Sequence, residues 1–107
     1  MWNIHNPPFG TGVDAAPRVD DRLRIQYAGS GEPDMIPVGS RSVRALIEER
    51  QPALALHGHI HESRGRYELG RTVGFNPGSV YSDGVLYGVL VRVSSRGQIK
   101  SYTLTSG

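Results

Sequence analysis

Two histidines one residue apart, His59 and His61, follow Gly58 and a third histidine, His57, directly after the apolar run Ala53-Leu54-Ala55-Leu56. Imidazole nitrogen binds first-row metal ions at roughly 2.0–2.1 Å, and two-metal hydrolytic sites hold their ions roughly 3.5–4 Å apart. Side chains two residues apart lie on one side of an extended backbone, so His59 and His61 suit one ion or two neighbouring ions. Gly58 is expected to let the chain leave a strand with its backbone close to a small ligand. A surface histidine pair in a loop would have the same local sequence. The elements around the motif weigh between the two.

The run 53–56 reads as a strand that delivers the histidines at its end, where sites gather in open α/β sheets. Before it, Ser40 is a good N-cap. Val43, Leu46 and Ile47 fall on one face at helical spacing, and Pro52 stops the helix after Glu48-Glu49-Arg50-Gln51. Residues 2–4 read as the tail of another strand, ended by His5-Asn6 and Pro7-Pro8, which cannot continue a ladder. Residues 9–39 are rich in Gly, Pro and Asp, with one short extended patch at 23–27. A connection of that length is expected to be functional or mobile and to border a substrate cleft, with Met35 as a local hydrophobic plug.

After the histidines the chain turns β-rich. Short strands are expected at 67–69 and 72–75 around Gly70, a turn at Asn76-Pro77-Gly78-Ser79 and a hairpin turn at Ser82-Asp83-Gly84. Residues 85–93 form the strongest strand, apolar on both faces except for Arg92, and 94–97 turn it into a last strand over 98–104. A strand apolar on both faces expects cover on both, which one helix cannot supply.

Composition narrows the chemistry. The 107 residues fit one small domain, and 37% hydrophobic content with 14 glycines indicates a loop-rich one. Net charge is only +2, so nucleic-acid binding is weakly supported. The absence of cysteine excludes disulfides, thiolate zinc sites and a cysteine nucleophile, leaving nitrogen and oxygen ligands for any metal. The N-terminal residues lack a basic and apolar leader pattern, and no stretch approaches the roughly 18 apolar residues that cross a membrane. A soluble, cytoplasmic protein is expected.

In order along the chain stand His5-Asn6-Pro7-Pro8-Phe9-Gly10-Thr11 with Asp14, Gly39-Ser40 opening the helix, Gly58-His59-Ile60-His61-Glu62-Ser63, and Asn76-Pro77-Gly78-Ser79. In order, spacing and local structure this resembles the C-terminal half of a calcineurin-like metallophosphoesterase, over most of the chain. The resemblance implies an α/β (α+β) fold: the C-terminal half, residues 1–107, of a four-layer β-sandwich of two mixed sheets flanked by helices. It also implies hydrolysis of phosphomonoesters or phosphodiesters with Mn, Fe, Zn, Ni or Co. By that likeness His5 and His59 would ligate one ion and His61 the other, and Asn76 would support the site from its turn. Two such cations polarise phosphoryl oxygens and lower the pKa of a bridging water, with neutral imidazoles preserving their charge.

The same likeness exposes a gap. Family members carry an Asp-x-His pair, a metal-bridging Asp and an Asn-His pair before the histidine that matches His5, and none occurs in these residues. Three histidines without a bridging carboxylate leave two dications in strong repulsion. The isolated chain is therefore expected to bind at most one metal weakly, to show little phosphatase activity, and to expose apolar surface where a first sheet would dock. Its partners would be a phosphoester substrate and either the missing N-terminal half or a second copy meeting it through that sheet. The alternative is a non-catalytic β-rich module with a weak three-histidine metal site.

Other candidates remain two-sided at this level. His57 is a strand-end residue or a group behind the ligands, and Asn6 follows a ligand directly. Glu62 orients a histidine or is a solvated loop carboxylate; Asp14 caps the proline-rich loop or faces substrate. Asp14, Glu62 or Asp34 could lend a carboxylate. Arg64, Arg66 and Arg71 attract phosphate or are surface residues of a hairpin, and Tyr81 and Tyr87 read as packing.

Overall fold

A computed structural model describes residues 1–107. It is mixed α+β, strand-rich, with one α-helix and three small sheets. The central sheet has four strands: β1 (Trp2–Asn3), β4 (Leu54–Leu56), β6 (Thr72–Asn76) and β5 (Gly65–Leu69), in that spatial order. β1, β4 and β6 are parallel, in register Trp2 to Ala55 and Leu56 to Phe75, and β5 returns antiparallel to β6. Parallel strands all end on one edge of the sheet, and here that edge receives His5, the histidine run and the Asn76 turn.

The remaining strands form two antiparallel ribbons, β2 (Ala15–Pro17) with β3 (Met35–Pro37), and β7 (Tyr87–Val93) with β8 (Ile99–Ser106). Helix α1 (Arg41–Arg50) starts as its sequence dictates, with Ser40 Oγ accepting from Val43 N at 3.1 Å. It ends at Gln51 in the left-handed region. Of its expected apolar face Ile47 is fully buried, whereas Leu46 stays 42% exposed, so the helix seats along a narrow line.

Residues 9–39 are more ordered than their composition suggests. Beyond β2 and β3 the chain folds twice more, bridging Val19 to Ile25 and Tyr27 to Pro33, with Arg18 N donating to Asp34 O and Gln26 N to Arg18 O. Each pairing is short because Pro17, Pro33 and Pro37 interrupt the ladder, which hides the arm from a search for strand-length runs. Met35 is half exposed in β3 and plugs nothing, contrary to expectation.

The last ribbon presents two different faces. Tyr87, Val89 and Val91 share one face with Tyr102 and Leu104, and the Tyr102 ring packs tilted against Phe75 of the central sheet, ring centroids 4.9 Å apart. The other face carries Gly88, Leu90 and Arg92 beside Ser101, Thr103 and Thr105. That face has no cover within these residues, and Leu90 stands exposed on it. At Ser82-Asp83-Gly84 the expected hairpin turn forms as a single 3-10 turn (Tyr81–Asp83), closed by left-handed Gly84 and the antiparallel bridge of Val80 to Val85.

The core is thin: Val13, Ile47, Leu54, Ala55, Ile60, Tyr67 and Phe75 are its buried apolar members. Two adjacent residues fasten the ribbons to it. Ser63 Oγ donates to Gly12 O and accepts from Ala15 N, both at 2.9 Å, at the root of the arm. Arg64 donates to Pro77 O and Thr105 O, with its guanidinium 4.2 Å over the Tyr87 ring. No helix is long and apolar enough to cross a membrane.

Candidate metal centre

The backbone pairing that builds the sheet also sets the histidines. β1 and β4 continue their ladder past their ends, Ile4 N donating to Leu56 O at 3.0 Å and Gly58 N to His5 O at 2.9 Å. That last bond brings the His5 and His59 rings together edge to face, with centroids 5.2 Å apart. A Cβ on Gly58 would sit 3.2 Å from the His5 ring, tighter than ordinary contact, so the glycine eases this close approach. It does not supply the turn. The left-handed residue is His59, at φ 62°, centred in a tight turn in which Ile60 N donates to Gly58 O at 2.6 Å.

His61 stands apart from this pair. Its ring packs edge-on against Tyr81, with centroids 5.8 Å apart, and its carbonyl accepts from Ser79 N at 2.9 Å. Tyr81 is largely exposed, so it lines the histidine edge rather than packing in a core. Sequence reading gave it no functional part, since nothing in a tyrosine near a turn signals a contact twenty residues back.

His57 has no free nitrogen for a metal. Its Nδ1 faces Ile4 O and its Nε2 the Tyr67 hydroxyl, each at 2.8 Å. A carbonyl only accepts, so Nδ1 carries the proton and Nε2 accepts from Tyr67. Burial lowers the His57 pKa and raises that of Tyr67, which keeps imidazole and phenol neutral.

Asp14 is likewise committed. Its buried carboxylate accepts from Gly10 N, Thr11 N, Gly12 N and Gly39 N, so it caps the loop. Asp34 pairs with Arg18 in the arm, and Glu62 and Asn6 are exposed without a side-chain hydrogen bond. Asn76 is fully buried, donating to Val13 O at 3.1 Å and Ile60 O at 2.9 Å while its Oδ1 accepts from Gly78 N. It thereby holds the histidine loop from beneath.

The arginines do not gather at the histidines. Arg64 is spent on the ribbon, Arg66 pairs with Glu68 and lies over Tyr102, and Arg71 precedes β6 at the opposite end of the sheet. Ser63, which sequence reading gave no part, proves to be the anchor between arm and site loop.

No group of three or more His, Cys, Asp or Glu is placed to hold a metal ion. The histidine rings that stand together are those of His5 and His59, with His61 against Tyr81. That set does not fit a dinuclear centre without further ligands. Comparison with family models, with curated proteins and with solved structures returns no match.

Proposed function

We propose that the chain is the C-terminal half of a calcineurin-like metallophosphoesterase, a hydrolase of phosphoesters that needs the carboxylate-bearing half to act. The observation that carries this reading is the His5–His59 pair at the ends of adjacent parallel strands, where the motif resemblance puts two ligands of one ion. Asn76 beneath the histidine loop agrees with the supporting role that the same resemblance gives it. The exposed edge of β1 is where the missing strands would add.

A second reading, a non-catalytic module with a weak histidine metal site, draws on His61, which faces Tyr81 instead of the other two histidines. Assay of p-nitrophenyl phosphate hydrolysis with added Mn or Zn separates the readings. The purified chain alone should be inactive. Co-expression with the N-terminal half of a calcineurin-like enzyme should restore hydrolysis, and His59→Ala should remove it. Turnover by the isolated chain at rates typical of enzymes, or no restoration by any N-terminal half, would overturn the proposal.

A further inference from the structure

At the end of the sheet away from the histidines, a groove of about 530 Å³ opens between Gln51, Arg71 and Val73 on one side and Arg96, Gln98 and Ile99 on the other. Small-molecule sites commonly enclose roughly 300–1,000 Å³. The helix end meets the start of β6 and the turn of the last ribbon here, so three separate parts of the chain form its walls.

The polar groups of the groove are unevenly committed. Gln51 Nε2 donates to Ile47 O at 3.0 Å and Leu69 O at 3.1 Å. Its Oε1 accepts from Arg71 N at 2.7 Å, and its backbone oxygen from Arg71 Nε at 3.2 Å. The acceptors of that wall are therefore taken. The terminal nitrogens of Arg71 and the whole guanidinium of Arg96 have no hydrogen-bond acceptor and no ion-pair partner. No carboxylate lines the groove. Glu68, the cross-strand neighbour of Val73, is paired with Arg66.

We propose that this groove binds a small organic anion, its phosphate or carboxylate held between Arg71 and Arg96 and its apolar body lying on Val73 and Ile99. Guanidinium forks match the planar, bidentate geometry of both anions, and an apolar wall beside them favours an aryl or alkyl ester over a bare ion. The groove and the histidine pair lie at opposite ends of β4 and β6, so an anion here is not positioned for chemistry at the histidines.

Calorimetric titration of the chain in EDTA with phenyl phosphate, benzoate and inorganic phosphate tests this without the histidine site. Phenyl phosphate or benzoate should bind saturably, and whichever is tighter identifies the anion, while inorganic phosphate should be weaker than phenyl phosphate. Arg96→Ala removes no bond of the fold and should weaken binding about tenfold. Addition of Arg71→Ala should abolish it, and His59→Ala should leave it unchanged. Absence of saturable binding by either aromatic probe, unaltered affinity in Arg96→Ala, or loss of binding in His59→Ala would each overturn the assignment.

Discussion

The Tyr67 hydroxyl donates to Nε2 of His57 at 2.8 Å inside the sheet, closing a chain that runs from Ile4 O through the imidazole to the phenol. Tyr67→Phe removes the donor and leaves a buried ring nitrogen unpaired. That should cost about 1–3 kcal/mol, read as a lower urea midpoint at unchanged m-value. A midpoint equal to wild type would show that water satisfies Nε2.

The same buried imidazole sets a pH dependence of stability. Burial lowers the His57 pKa in the fold below its ordinary 6.5. The unfolded chain therefore takes up a proton first as pH falls, and stability is full above about 6.5 and is lost towards the lower folded value. Melting temperatures between pH 7.5 and 5.5 should fall in wild type and fall less in His57→Gln.

His59 holds a left-handed backbone that costs a side-chain-bearing residue about 1–2 kcal/mol. His59→Gly should therefore be more stable than His59→Ala by about 1 kcal/mol, although both remove the imidazole. Equal unfolding midpoints for the two variants would mean that the loop relaxes when histidine leaves. The strain lies on a candidate ligand, which is where such costs are commonly kept.

Thr72 is fully buried, and its hydroxyl has no hydrogen-bond partner. Valine has nearly the same shape and no such group, so Thr72→Val should stabilise the chain by about 1 kcal/mol. A loss of stability in denaturant titration would reveal a partner for the hydroxyl.

Local signals in the sequence matched the structure where a few neighbouring residues decide the outcome. Ser40 and Pro52 bound the helix, and 53–56 leads into the histidines as a strand. Long-range polar bonds were not legible. Ser63 to Gly12 spans 51 residues and Asn76 to Val13 spans 63, and no residue type announces such a partner. Asp14 was legible as either cap or substrate contact, and only the folded loop shows the cap. The threonines that β8 sets beside the outer face of β7 were not legible either, because a strand's own sequence does not name its neighbour.

Ser63 and Arg64 are joined by one peptide bond, yet one grips the arm and the other the terminal ribbon. Neither ribbon contributes much to the buried core, so each depends on a few contacts to the central sheet, Tyr102 against Phe75 among them. This keystone ties both ribbons to the segment that carries His59 and His61. A pull on the C-terminal strand, by a protease, a neighbouring chain or an attached tag, would load Arg64, just past His61, together with the Tyr102 contact to Phe75.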